Sequence, residues 1–347
     1  RDMTNPETHP VTLGRAGQIG IIRIDNPPVN ALSLAVRRGL IETIAAAQTE
    51  PEIAAIVLIG ENGLFSAGAD LAEFHAGHQP PFLDEICALA EDGQTPVIAA
   101  ISGTTYGGGF EIALGCHYRI AAPGTRVALP EVLLGILPGG SGSQRLPRIV
   151  GAKAALDFML SGAPVKTDAA LAMGVIDRVS GPDLLADALA FAEEIVAAGA
   201  PLPRSGQRLD GLGDRAVFQA EVDAARARLT ASRSPLFAPY RIVDCVEAAG
   251  KLPLAEGLAL EREKIVECIA SDQHRALVHA FLAERQSARF PEADAARPRP
   301  LKTIAVIGGG TMGAGIAVAA LDGGLKVLMV ERDDASAARG KANVAKV

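Results

Sequence analysis

Tryptophan is absent from this 347-residue sequence, and aromatic residues together make up only 4%. That leaves few flat platforms on which unstacked nucleic-acid bases could rest. Positive charge is not in excess either. The 33 Lys+Arg against 40 Asp+Glu give a formal charge of −7, which argues against a general nucleic-acid binder. Cysteine is scarce: Cys87, Cys116, Cys245 and Cys268 lie far apart, without CxxC spacing. They suggest neither a disulfide framework nor a zinc site but reduced thiols in a cytosol-like compartment, so the expected localisation is cytoplasmic. Long apolar runs are missing too, each being broken by Gly, Pro or charge, and no membrane span is expected. The opening Arg1-Asp2-Met3-Thr4-Asn5-Pro6 lacks the apolar stretch of a signal peptide, and Met3 is read as the natural start.

What is present is a globular composition, 49% hydrophobic and 21% charged, on a chain long enough for two domains. The first third alternates strand and helix patterns. Ile19–Ile24, Ile53–Gly60 and Pro96–Ile101 read as strands, and Ser33 as the N-cap of a helix reaching about Gln48. This rhythm predicts an α/β domain. From about Ala169 the pattern becomes mostly helical, and a helical pattern runs from Ala255 to Phe290 without a Pro or a late Gly. A Pro-rich charged linker, Pro291 to Pro300, follows as a domain boundary.

Beyond the linker, the apolar strand Thr303–Ile307 runs into Gly308-Gly-Gly-Thr-Met-Gly313, with a helix pattern after it. A second strand, Lys326–Val330, ends on Glu331, which lies 18 positions past the third glycine. Strand before, helix after and acid at the second strand's tip make a dinucleotide-binding fingerprint. Gly308, Gly310 and Gly313 would let the backbone approach a pyrophosphate, and Glu331 suits ribose hydroxyls, so NAD is the expected cofactor. The chain reaches Val347 just after this βαβ start, which is read as the opening of a second domain. Its apolar surface is expected to be exposed, and residues after about Pro298 to be disordered or ordered only by packing on something else.

Two loops in the first part are suited to present backbone N–H groups: Phe65-Ser-Ala-Gly-Ala-Asp70 and Tyr106-Gly-Gly-Gly-Phe-Glu111. Glycines opening a helix expose unpaired donors that can stabilise an oxyanion, or else simply make a tight strand–helix turn. Glu111 opens an otherwise apolar helix, and Glu131 sits in Ala128-Leu-Pro-Glu-Val-Leu-Leu134, apolar on both sides. Each could be a helix-terminal charge or a buried ion-pair partner. As a buried pair, their pKa values would be pushed apart, so that one could serve as acid and the other as base. His75 and His78 have a spacing that suggests metal, but no third ligand is near and no metal is expected. Cys116 and His117 are adjacent, so their side chains diverge on a helix. Gln144 and Arg145 are read as meeting local backbone and charge partners.

Residues 11–200 resemble the crotonase (enoyl-CoA hydratase/isomerase) superfamily. The motifs are FSAGAD (65–70), YGGGFEIALGC (106–116) and LPEVLLGILPGGSGSQRLPR (129–148), with 20 positions between the two glutamates. The resemblance implies a spiral of ββα units closed by C-terminal helices. Ala69 and Gly108 match the oxyanion-hole donors, Glu111 and Glu131 the catalytic pair, and Gly139 the residue that helps place water. Ala69, Asp70, Leu71 and Ala72, with Gly108, match the segments that hold the acyl-CoA. The implied reaction is reversible syn hydration of a trans-2-enoyl-CoA, with Δ3-to-Δ2 isomerisation needing only the oxyanion hole and one shuttle base, Glu131.

The whole chain resembles the N-terminal half of the multifunctional β-oxidation enzymes. The implied layout is a hydratase/isomerase domain over 1–254, a linker helix and Pro-rich linker over 255–298, and the start of an NAD-binding dehydrogenase domain over 299–347. In the complete protein it further implies NAD-dependent 3-hydroxyacyl-CoA dehydrogenase activity and, as a partner, a thiolase subunit.

Overall fold

The structure is a computed structural model that describes residues 9–70, 73, 79–287, 297 and 299–346. It comprises two compact units, Arg1–Ala283 and Glu284–Val347. The first is built on a six-stranded sheet in the order β1 (Val11–Ala16), β2 (Ile19–Ile24), β3 (Ala55–Gly60), β4 (Val97–Ile101), β6 (Tyr118–Ala121), β9 (Arg178–Val179). The β1–β2 pair is an antiparallel hairpin, and every other pairing in the sheet is parallel. Parallel strands covered on both faces need apolar residues at every position rather than alternation. All six residues of β3 are buried: Ile56 and Leu58 join one apolar cluster, and Ala55, Val57 and Ile59 another. The second cluster is closed by Ala188, Phe191 and Ala192 of the helix Leu184–Ala198.

A smaller sheet of β5 (Thr104–Tyr106), β7 (Arg126–Ala128) and β8 (Val165–Lys166) starts directly after β4, where Gly103 turns the chain at φ +58°. Isolated bridges from Leu32 to Ala69 and from Ser66 to Thr105 stitch the Phe65–Asp70 loop to its neighbours. Ser33 does cap the helix Leu34–Thr49, its hydroxyl accepting from the Val36 N–H.

The run expected as one helix from Ala255 to Phe290 is two helices, Leu254–Ile269 and Asp272–Ser287. Ser271 explains the break. Its hydroxyl donates to the Cys268 carbonyl at 2.7 Å and accepts from the His274 N–H at 3.1 Å, ending one helix and capping the next. Both helices up to Ala283 fall within the first unit.

In the second unit β10 (Thr303–Ile307) and β11 (Lys326–Val330) pair in parallel, and the helices Thr311–Asp322 and Asp334–Val344 follow them. The expected apolar exposure is there: Ile307 is 86% and Met312 77% exposed. Residues 299–346 are described and contain these four elements; Pro298 itself lies outside the described residues. Among the described residues no helix is long and apolar enough to cross a membrane.

Candidate active site

The helix Gly108–Gly115 is buried along its whole length. Its start explains the three glycines. Gly107 has φ +51°, and a β-carbon there would lie 2.7 Å from Glu131 Oε1. One on Gly109 would come within 2.6 Å of the Ser66 carbonyl oxygen. The close approach brings two backbone nitrogens together: a β-carbon on Gly68 would lie 3.4 Å from the Gly108 nitrogen, and one on Gly108 would lie 3.7 Å from that of Ala69. Gly108 is the first residue of its helix, so its N–H has no intrahelical acceptor. Among the described residues no backbone carbonyl engages either the Ala69 or the Gly108 N–H. Two adjacent uncommitted donors of this kind can bind a carbonyl oxygen that gains negative charge.

The two glutamates are both buried, in unlike surroundings. Glu111 Oε1 accepts from the Gly140 and Gly142 N–H groups, each at 2.8 Å. Burial raises its carboxyl to about 7; the two N–H donors pull against that shift, and the nearby Asp84 charge adds to it. Glu131 sits on the 3-10 turn Pro130–Leu134, and its Oε2 has no hydrogen-bond partner. Burial and then the Glu111 charge hold its carboxyl well above the usual range. Two N–H donors from the Gly140–Gly142 segment stabilise an ionised Glu111, whereas Glu131 has only its own backbone N–H in that role. A buried pair with such unequal surroundings can divide into one carboxyl that ionises more readily and one that stays protonated.

A third buried carboxyl, Glu261 on the helix Leu254–Ile269, escaped the sequence reading. Its Oε1 accepts from the Ser141 N–H at 2.8 Å, and the Ser143 hydroxyl donates to its Oε2. Burial and the Glu111 charge raise it to about 8. Nothing in Leu258-Ala-Leu-Glu-Arg-Glu-Lys264 marks this acid as different from its charged neighbours. A buried ion pair stands behind it: Arg145 donates to Glu91 at 2.5 Å, to Ser205 at 2.8 Å and to the Ser141 hydroxyl at 2.8 Å. Gln144 donates to the Cys245 carbonyl at 2.9 Å, so both residues meet local partners. His274, from the following helix, lies with Nδ1 2.8 Å from the Leu134 carbonyl at the end of the Glu131 turn.

The fully buried Arg37 gathers backbone carbonyls from several segments. It donates to the carbonyls of Leu32, Gln79 and Pro81 and to Glu73. Its place in the helix pattern Leu34–Thr49 gives no hint of this.

Asp70 is half-buried, and its carbonyl accepts from the Glu73 N–H at 3.1 Å. Leu71, Ala72, His75 and His78 lie outside the described residues. Gly139 is exposed, and a β-carbon on it would meet Ile265 at 2.9 Å; the N–H groups that reach Glu111 come from Gly140 and Gly142. His117 accepts at Nδ1 from the Val97 N–H and is held down to about 4 by burial, while burial raises the Cys116 thiol to about 12. All four cysteines are free and buried. Among the described residues no group of three or more His, Cys, Asp or Glu could hold a metal ion.

In the second unit Gly308 has φ +91°, and a β-carbon on Gly313 would lie 1.7 Å from the Gly308 carbonyl oxygen. A β-carbon on Gly310, at the start of the helix Thr311–Asp322, would meet nothing within 4 Å. The Gly309 N–H donates to Glu331 Oε1 at 2.5 Å. The tight first and third glycines, the open second one and an acid at the tip of β11 fit the adenosine and pyrophosphate part of a dinucleotide.

Comparison with known proteins agrees with both units. Residues 14–205 match the family Enoyl-CoA hydratase/isomerase, and residues 303–347 match 3-hydroxyacyl-CoA dehydrogenase, NAD binding domain. The chain is 40% identical over 326 residues to the Peroxisomal bifunctional enzyme of Danio rerio, covering 91% of this chain and 44% of that protein. Against the Peroxisomal bifunctional enzyme of Homo sapiens it is 37% identical over 330 residues, with the same coverage. It thus spans less than half the length of these curated relatives. Among solved structures, carnitinyl-CoA hydratase from Mycobacterium avium superposes with a TM-score of 0.59 at 27% identity, covering 81% of this chain and 99% of that one. An enoyl-CoA hydratase/isomerase from Pseudoalteromonas atlantica has the same TM-score at 21% identity, a likeness of fold alone. With its family matched over more than half of its length, and the crotonase-like α/β architecture shared with these structures, the chain belongs to the enoyl-CoA hydratase/isomerase family and continues into the start of a 3-hydroxyacyl-CoA dehydrogenase NAD-binding domain.

Proposed function

We propose that the first unit adds water across the double bond of a trans-2-enoyl-CoA, reversibly, giving a 3-hydroxyacyl-CoA. The observation that carries this reading is the unequal pair of buried glutamates on the helix and turn that flank two uncommitted N–H donors. The thioester oxygen sits between the Ala69 and Gly108 N–H groups, which stabilise it as it becomes enolate-like. Glu111, the more readily ionised of the two because Gly140 and Gly142 donate to it, takes a proton from water as the oxygen attacks the β-carbon. Glu131, kept protonated by burial, delivers its proton to the α-carbon. Gly139, one residue before those donors and with an exposed backbone, is a further water contact in this reading. In the same reading Asp70, Leu71 and Ala72 hold the CoA portion.

The unpartnered Oε2 of Glu131 also suits it to shuttle a proton between the α- and γ-carbons of a 3-enoyl-CoA, which makes Δ3-to-Δ2 isomerisation a second activity of the same site. The test of the main reading is hydration of crotonyl-CoA by the purified chain, followed as loss of the enoyl-thioester absorbance. Saturable turnover that collapses in Glu111→Gln is expected, and absence of turnover in the folded wild-type chain would refute it.

For the complete protein we propose NAD-dependent oxidation of the 3-hydroxyacyl-CoA product. Gly308, Gly310, Gly313 and Glu331 would hold the dinucleotide, whose bound nicotinamide accepts the hydride. A thiolase subunit as partner is an extension of the same reading, testable by co-purification of the complete protein. Buried reduced thiols fit a reducing compartment, which is compatible with the cytoplasm and with the peroxisomal setting named for the relatives.

A further inference from the structure

We propose that Glu261 is a positioning residue of the hydration site, holding the Ser141–Ser143 segment so that the Gly140 and Gly142 N–H groups stay aimed at Glu111. The inference rests on the reading of Glu111 as the base. Glu261 grips the segment on both sides of Gly142, through the Ser141 N–H and the Ser143 hydroxyl. The segment needs holding, because Ser141 has φ +87°, a left-handed conformation that a non-glycine residue rarely adopts. Arg145 secures the Ser141 side chain from the opposite side but leaves its N–H to Glu261. One turn further along the same helix, Ile265 packs where a β-carbon on Gly139 would project. The helix Leu254–Ile269 therefore backs the segment at Gly139, Ser141 and Ser143 in succession.

Among the described residues the hydrogen bonds of the Glu261 carboxyl go to this segment, so its influence on Glu111 passes through the placement of the segment. Its raised carboxyl, about 8, keeps it neutral near pH 7, which makes glutamine a close substitute. The glutamine Oε1 accepts from the Ser141 N–H, and its Nε2 can donate to the Ser143 hydroxyl.

The experiment is steady-state hydration of crotonyl-CoA by wild type, Glu261→Gln and Glu261→Leu, with Glu111→Gln as reference. Glu261→Leu is expected to lower kcat by about 10–100-fold with KM changed by less than about 3-fold, the signature of a misplaced reacting group. Glu261→Gln is expected to stay within about 3-fold of wild type, since the tether survives. Wild-type kcat in folded Glu261→Leu would overturn the proposal. So would a loss in Glu261→Gln as deep as that of Glu111→Gln, which would make Glu261 a proton carrier instead.

Should Glu261→Leu not fold, Ser143→Ala removes one of the two tethers, and a kcat fall of about 3-fold or more is expected, with an unchanged kcat overturning the proposal. If the wild-type chain hydrates nothing, the functional reading fails separately, and the positioning claim is read from amide hydrogen exchange at Gly140 and Gly142. Faster exchange in Glu261→Leu but not in Glu261→Gln, or in Ser143→Ala if Glu261→Leu does not fold, supports it; unchanged exchange in the variant read refutes it.

Discussion

The molecule makes the same local turn twice, strand to glycines to helix, and uses it in two different settings. At Tyr106–Phe110 every residue of the following helix is buried, and each of Gly107, Gly108 and Gly109 faces an atom that a β-carbon would strike. At Gly308–Gly313 Gly308 is set by its φ of +91°, Gly309 and Gly313 by backbone atoms close to where a β-carbon would project, and Gly310 alone of the four is unconstrained; the helix after them buries just Ala314 and Ala317. Both turns free N–H groups at a helix start. What differs is the surroundings: the first turn has two buried carboxylates beside it, the second has open space over Gly310 and one carboxylate at a strand tip. A glycine motif therefore specifies a backbone path, and the chemistry comes from what the rest of the fold brings to it.

The sharpest way to break this comparison is to remove the carboxylates while leaving the turn intact. Glu111→Gln and Glu131→Gln each keep the shape and lose the ionisable group. Hydration kcat is expected to fall by about 10²–10⁴-fold in each, with KM much less affected. Near-normal turnover in either would mean that the buried turn works through its N–H groups alone.

The next effect concerns the turn itself. Gly109→Ala drives a β-carbon into the Ser66 carbonyl, which accepts from the Tyr106 N–H, and into the Ser66 side chain, whose hydroxyl donates to the Asn30 carbonyl. A loss of about 2–4 kcal/mol, or failure to accumulate as folded protein, is expected in urea unfolding. Gly313→Ala should be similarly intolerable, because its β-carbon would overlap the Gly308 carbonyl.

These sites were unequally legible. The parallel strands of the first unit were readable because a sheet covered on both faces demands unbroken apolar runs; β2 falls at its expected limits, and so do β10 and β11, whose apolar runs are largely exposed. β1 was not, since four of the six residues in Val11–Ala16 face solvent and carry no apolar signal. The break at Ser271 was missed although Ser-Asp is a helix-start pair, because the apolar spacing on either side continues through it. Glu111 and Glu131 stood out as acids among apolar residues. Glu261, Arg37 and the Glu91–Arg145 pair did not, since their burial is a property of tertiary packing that no local pattern encodes. Gly140 and Gly142, the actual donors to Glu111, were passed over beside Gly139 for the same reason.

A third expectation uses the raised Glu111 carboxyl as a reporter of that burial. The group titrates near 4.5 when unfolded and at about 7 in the native chain. Between these values the native state holds a proton that the unfolded state has released, so stability falls as pH rises through this window. It is level below about 4.5 and above about 7. The shift is worth on the order of 3 kcal/mol. Glu111→Gln lacks this slope. Its stability relative to wild type should therefore rise from pH 5 to pH 8 in urea melts, and a pH-independent difference would show that Glu111 is not desolvated.

The smallest effect is expected at the open glycine of the second turn. Gly310 has φ −68°, a conformation any residue adopts, and nothing lies within 4 Å of a β-carbon there. Alanine loses a few tenths of a kcal/mol as a poorer N-cap and regains a similar amount by restricting the unfolded chain. Gly310→Ala should consequently shift unfolding by less than about 0.5 kcal/mol, against the several expected for Gly109→Ala. The open space over Gly310 is also where a pyrophosphate would approach the helix start, so the same β-carbon should weaken dinucleotide binding by the complete protein. Stability and ligand affinity would then separate at Gly310, whereas at Gly109 they must fail together. A large stability loss in Gly310→Ala would mean that the second turn is packed like the first, and the contrast between the two would collapse.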